Sequence, residues 1–187
     1  MVGDDGVGKT SMIVTYTCKK FPKDPRAYNP AMINHNLPIV TVDGYSITFN
    51  LWDTSGQAEY GRMRCLIYPQ TDIFLCLFSV VSPMSFGHIM TQWYPEVSQH
   101  CPDALLFLVG TKSDLREDPE ALKELTAANL KPVSYEEALQ MAVNIKAVRY
   151  MECSALSGHG LNELFEEVAR AHLPNLAKRP RGGCLLI

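Results

Sequence analysis

Eight residues near the start of the chain restrict its fold more than any other feature. Gly3-Asp4-Asp5-Gly6-Val7-Gly8-Lys9-Thr10 matches G-x-x-x-x-G-K-[ST] in full, and Ser11 to Thr17 can continue it as a helix. Glycines let successive backbone N–H groups curl around phosphate oxygens, the helix start adds a favourable dipole, Lys9 reaches the outer phosphates, and the Thr10 hydroxyl suits Mg²⁺. The plainer alternative is a glycine-rich turn ahead of a helix. On the phosphate reading, Gly3, Asp4, Asp5, Gly6, Val7, Gly8, Lys9, Thr10 and Ser11 form the cradle, and Thr10 is a metal ligand.

The chain's 187 residues suit one globular domain, and 47% apolar with 20% charged residues is an ordinary soluble composition. A net charge of −3 and a pI near 5.9 supply no basic field, so no nucleic-acid partner is expected. Cys18, Cys65, Cys76, Cys101, Cys153 and Cys184 form no Cys-x-x-Cys pair, and several lie in apolar runs. They read as reduced, buried thiols of a cytosolic protein. No stretch approaches the ~20 apolar residues of a membrane span, and the first residues do not resemble a signal peptide.

Apolar runs alternate with helical patterns, which predicts α/β layering. Asp43-Gly44 is a turn between strand-like segments, and Ile47, Phe49 and Leu51 alternate with Thr48 and Asn50, as in a hairpin with one buried face. Ile73 to Val80 and Ala104 to Val109 are nearly continuous apolar runs, as interior parallel strands require. Ser134 with Glu137 predicts a capping box, and Asp118 before Pro119 a cap for a charged helix near Glu120 to Leu125. Leu161, Leu164, Phe165 and Val168 form a final helical stripe that Pro174 is expected to stop.

Three further segments fall at strand ends: Asp53-Thr54-Ser55-Gly56-Gln57, Thr111-Lys112-Ser113-Asp114, and Glu152-Cys153-Ser154-Ala155-Leu156. Singly, each is as easily a strand-end turn or a surface loop. In this order and spacing they resemble the small GTPases, and Trp52-Asp53-Thr54, Tyr68-Pro69-Gln70-Thr71-Asp72, Ser82-Pro83, Trp93-Tyr94-Pro95-Glu96 and the charged insert around Asp118 to Leu130 resemble the Rho/Rac branch. The resemblance implies a Ras-like P-loop fold: a mostly parallel sheet, helices on both faces and one antiparallel hairpin strand, with nucleotide at the carboxyl strand ends. It implies GTP/GDP and Mg²⁺ as ligands, Asp53 holding the metal through water, and Gln57 with Lys9 as the catalytic pair. Gly56 belongs to the Gln57 element. Thr111, Lys112 and Asp114 would read guanine, Phe21 would pack on the base, and a backbone N–H of Ser154, Ala155 and Leu156 would meet its O6. Exchange factors, activating proteins, dissociation inhibitors and effectors are the implied partners.

By the same resemblance residues 1–173 form the nucleotide domain, with the insert helix near 118–130, and 174–187 a flexible tail. Cys184-Leu185-Leu186-Ile187 reads as C-a-a-X, making Cys184 a prenylation acceptor and leaning toward geranylgeranyl. One lipid binds membranes reversibly, and Lys178, Arg179 and Arg181 add ~1 kcal/mol each near an anionic leaflet. The expected location is cytoplasmic, exchanging with the cytoplasmic face of membranes, the plasma membrane in particular.

The pattern also departs from the family. Only Met1 and Val2 precede the phosphate loop, so the first, central strand is expected to be largely missing. The effector region Tyr28, Asn29, Pro30, Ala31, Met32, Ile33, Asn34, His35 and Asn36 lies in a longer first switch, with Ala31 where the family has the threonine that senses the γ-phosphate. Asp5 replaces a glycine near that phosphate, and Ser55 an alanine. Two readings remain: a GTP-hydrolysing switch, impaired by Asp5 and Ala31, and a hydrolysis-deficient pseudo-GTPase that acts as a binding module. Asp114 disfavours an ATP-using enzyme.

Overall fold

The computed structural model describes residues 1–23, 32–36 and 38–178, of residues 32–36 and 175–178 the backbone only. Tyr28 to Ala31, and the tail with Arg179, Arg181 and Cys184, lie outside the described residues.

In chain order the elements are β1 (Val2–Gly3), α1 (Lys9–Cys18), β2 (Met32–Asn36), β3 (Val40–Val42), β4 (Tyr45–Ile47), β5 (Asn50–Thr54), α2 (Gly61–Leu66), β6 (Ile73–Ser79), α3 (Pro83–His88), α4 (Tyr94–His100), β7 (Leu105–Thr111), α5 (Pro119–Ala127), α6 (Tyr135–Asn144), β8 (Arg149–Glu152) and α7 (Leu161–Lys178). Four parallel strands form the central sheet in the order β1-β6-β7-β8. The unbroken apolar runs of β6 and β7 follow from their position. Leu75, Leu77, Phe107 and Val109 face a layer built from α1 and α7, including Met12, Ile13, Leu164 and Phe165. Phe74, Cys76, Phe78, Leu106 and Leu108 face the opposite layer, with Trp93, Val97, Ala138 and Ile145. Because successive side chains in a strand point to opposite faces, every residue of these strands needs an apolar partner.

The Asp43-Gly44 hairpin forms as expected, with φ of 51° and 79° at the turn, both in the left-handed region that a two-residue hairpin favours. Among the described residues there are two antiparallel pairs, however: β3 with β4, and β5 with β2. The expected first strand is only Val2–Gly3, registered on Cys76 and Leu77. Met1 links it to β5, its amino group donating to Trp52 O at 2.8 Å and its carbonyl accepting from Thr54 Oγ1 at 2.6 Å.

The helix caps follow local chemistry. Ser134 and Glu137 complete a capping box at α6, and Asp118 accepts from the N–H groups of Glu120 and Ala121 with Pro119 opening α5. Two expectations are corrected. Pro174 does not stop α7, which runs on to Lys178. Leu161, Leu164, Phe165, Val168 and Ala169 fix the preceding turns in the core, and both Pro174 and Arg170 are exposed, so water can take the carbonyl left without its donor. Nor are the thiols uniformly buried: Cys76 and Cys153 are, Cys65 and Cys101 are half-buried, and Cys18 is exposed. All five are free.

Gly160 couples the end of β8 to the start of α7. Its φ is +73°, and a Cβ there would lie 2.3 Å from the Glu152 carbonyl oxygen. Gly160→Ala is therefore expected to lower stability by roughly 2–3 kcal/mol. Urea unfolding should show a reduced midpoint at unchanged slope; an unchanged midpoint would contradict this packing.

Candidate functional site

Parallel strands present all their carboxyl ends at one edge of the sheet, and the loops leaving β1, β7 and β8 converge there on a cavity of about 640 Å³. Asp5, Gly6, Val7, Gly8, Lys9, Thr10 and Ser11 line one end, and Phe21, Thr111, Lys112, Asp114, Ala155 and Leu156 the other. Met12, Thr54, Ser55, Leu115 and Cys153 also reach the wall. Thr54, Ser55 and Cys153 belong to the strand-end motifs, whereas Met12 and Leu115 were not singled out from sequence.

The phosphate end is built around Lys9. Its Nζ donates to Gly3 O at 2.8 Å and Asp4 O at 2.7 Å, and only 6% of the residue is exposed. Burial pulls the ammonium down to about 8, against the attraction of Asp53, Asp5 and Asp4. Gly6 and Gly8 hold the turn at φ of 75° and 100°. Among the described residues no side chain caps the start of α1, leaving its first N–H groups available to an anion. Thr10 Oγ1 donates to Asp53 Oδ2 at 2.6 Å, so the two expected metal-site residues are neighbours. An all-oxygen pair suits Mg²⁺, which takes one or two protein oxygens and completes its shell with water and phosphate. Among the described residues no group of three or more His, Cys, Asp or Glu is placed to hold a metal ion.

At the other end, Lys112 adopts a left-handed φ of 57° and is half-buried; burial lowers its pKa, with Asp114 opposing. Thr111 Oγ1 bridges to Val7 O at 2.6 Å and Phe78 O at 2.9 Å, fixing this turn to the phosphate loop. Arg116 joins the turn to the β8 loop through both carboxylate oxygens of Glu152, at 2.5 and 2.6 Å. Ser154 is buried and caps its own turn, accepting from Ser157 N at 3.1 Å. Phe21, 37% exposed, lies on the cavity wall rather than in the core.

The remaining expected residues sit behind or beside the wall. Gly3 is inside the sheet, and Gly56 packs directly on the phosphate loop: a Cβ on it would lie 2.3 Å from Asp5 N. Gln57 Nε2 lies 3.4 Å from Asp5 Oδ2. Ser55 does not send its hydroxyl to solvent. It is buried, and its Oγ accepts from Gln57 N at 3.3 Å. The Asp4 carboxylate turns away from the cavity, accepting from Trp93 Nε1 at 2.7 Å with His88 Nδ1 at 2.7 Å on its other oxygen.

One buried cation was missed entirely. Arg64, 1% exposed, donates to Ser55 O and Gln57 O, both at 2.9 Å, and to both Glu96 oxygens at 3.1 and 3.0 Å. Its guanidinium lies 4.8 Å from the centre of the Trp93 ring.

A parallel sheet whose first strand enters a lysine-bearing glycine loop, with a second strand-end carboxylate on the loop's threonine, defines a P-loop nucleotide-binding domain. A model of the Ras family matches residues 1–173, and the chain belongs to that family. Its members are small GTPases: they bind guanine nucleotide, typically with Mg²⁺, and act through regulators and effectors.

Arg64→Ala would strand Glu96 and two carbonyls together. The expected cost is about 3 kcal/mol, read as a lower denaturation midpoint, and Arg64→Met with Glu96→Gln should recover part of it. A single variant as stable as the parent would contradict the role of this pair.

Proposed function

We propose that the chain is a guanine-nucleotide switch of the Rho/Rac type whose GTP turnover is impaired. The observation that carries the impairment is the Gln57 amide beside the Asp5 carboxylate. A glutamine that must orient the attacking water is here offered an anionic acceptor on the phosphate loop. The same carboxylate occupies the space where a trans-acting arginine has to reach the transferring phosphoryl group, and adds repulsion beside it. In Ras-type GTPases such an arginine is worth on the order of 10³–10⁵ in rate, so its exclusion outweighs smaller losses. Ala31 removes a hydroxyl that would distinguish GTP from GDP, bringing the two states of the first switch closer together. A constitutively loaded pseudo-GTPase is the second reading, favoured by the same Asp5–Gln57 contact.

The proposed roles are those the family resemblance implies, and the positions of the residues around the cavity support them. Lys9 and the Gly3 to Ser11 loop hold the phosphates, Thr10 and Asp53 serve Mg²⁺, and the metal offsets phosphate charge. Asp114 accepts the guanine N1 and N2 hydrogens, the Lys112 stem and Phe21 flank the ring, and the Ser154, Ala155 and Leu156 loop meets O6. The charged α5 supports the Rho-type assignment, as does Trp93-Tyr94-Pro95-Glu96. No helix among the described residues is long and apolar enough to cross a membrane. Membrane contact is proposed through prenylated Cys184 and the basic Lys178, Arg179 and Arg181, with exchange to the cytoplasm. Exchange factors, activating proteins, dissociation inhibitors and effectors are the proposed partners, with effector choice altered by Met32, Ile33, Asn34, His35 and Asn36.

In single-turnover hydrolysis of preloaded GTP, a Rho-type activating domain should barely stimulate the parent protein. Asp5→Gly with Ala31→Thr should restore stimulation by roughly a hundredfold or more. Equal stimulation of the parent would refute the impairment and leave an ordinary GTPase. In cells, Cys184→Ser should move the protein wholly to the soluble fraction; continued sedimentation with membranes would remove the anchor reading.

A further inference from the structure

The Asp4 carboxylate and the Arg64 guanidinium meet on one side chain. Trp93, fully buried, lies in a π-helical turn spanning Ile89–Trp93, between α3 and α4. Its indole N–H donates to Asp4 Oδ1 at 2.7 Å, and Arg64 lies over its ring at 4.8 Å. Each contact continues into the nucleotide site. The Asp4 carbonyl accepts from Lys9 Nζ at 2.7 Å, and Arg64 holds the carbonyls of Ser55 and Gln57. A buried indole N–H needs an acceptor, but any carbonyl would serve. Here it grips the residue that grips the phosphate-loop lysine.

We infer that Trp93 is a positioning residue that sets the phosphate loop through Asp4 and the Gln57 segment through Arg64, and so governs how long nucleotide is retained. His88 supports the arrangement from the other oxygen of Asp4, at 2.7 Å. A loop whose backbone must present several N–H groups to phosphate at once loses hold when its anchor is freed. Retention is therefore the property most sensitive to the indole contact. The inference rests on the guanine-nucleotide reading.

The test is release of a fluorescent GDP analogue from the full chain. Trp93→Phe keeps a ring under Arg64 and removes the donor, and Asp4→Ala removes the acceptor. Each should speed release roughly tenfold, the lower end of what a hydrogen bond to a charged group supports. The double variant should be no faster than Asp4→Ala alone, because without the Asp4 acceptor the indole donor has no contact left to lose. Asp4→Asn should release more slowly than Asp4→Ala, recovering part of the parent's retention. Its amide oxygen still accepts from the indole, and its NH₂ can donate to Nδ1 of His88 in the appropriate tautomer. A structural defect from the lost ring atoms would instead multiply with Asp4→Ala and gain nothing from asparagine.

Should Trp93→Phe fail to fold, the contrast between Asp4→Ala and Asp4→Asn decides alone. The Trp93 indole N–H resonance must also shift upfield in Asp4→Ala. Release from Asp4→Ala within twofold of the parent, multiplying effects, or an unmoved resonance would each overturn the inference while leaving the nucleotide reading intact. A parent protein that fails to bind the GDP analogue would overturn both.

Discussion

Lys9 carries its charge where burial alone would remove it. An ammonium withdrawn from water survives only among oxygen atoms, and the phosphate loop supplies them by folding back so that Gly3 and Asp4 turn their carbonyls onto Nζ. This fixes the end of β1, the left-handed glycines and the start of α1 together. The carboxylates of Asp53, Asp5 and Asp4 contribute the field that keeps the lysine cationic near neutral pH. The site is thus arranged for an anion with several oxygens before any base-reading residue is considered.

The sheet behind the loop gives the arrangement its stiffness. β6 and β7 pair over seven residues and are packed on both faces, so the turns they feed begin from fixed points. Thr111 ties the base-side turn to Val7, and Arg116 ties it to Glu152, so the two ends of the cavity are held at a set separation. Of the departures, Asp5 and Ser55 line the cavity. Asp5 is exposed and touches Gln57 only at long range, and the loop around it keeps its contacts with Lys9.

Much of this was legible in the sequence because its causes are local. The phosphate loop, the Asp43-Gly44 turn, the α6 capping box and the Asp118 cap depend on residues within a few positions of each other. The unbroken apolar runs announced strands covered on both faces. What could not be read depends on distant partners. Asp4 looked like a cavity residue, yet its carboxylate belongs to Trp93, 89 positions away, and Arg64 is held by Glu96, 32 positions away. The continuation of α7 through Pro174 was hidden for the same reason: the helix is held by its packed face, and local propensity at one exposed position does not decide it.

The central claim is that the cavity between Lys9 and Asp114 selects guanine. Purified protein should be denatured and the released nucleotide separated by chromatography. The account predicts GDP and GTP in near-stoichiometric amount with negligible adenine nucleotide, and loss of guanine nucleotide from Asp114→Asn protein in favour of xanthine nucleotide supplied in vitro. Adenine nucleotide in the parent at levels comparable with guanine, or undiminished guanine selectivity in Asp114→Asn, would contradict it.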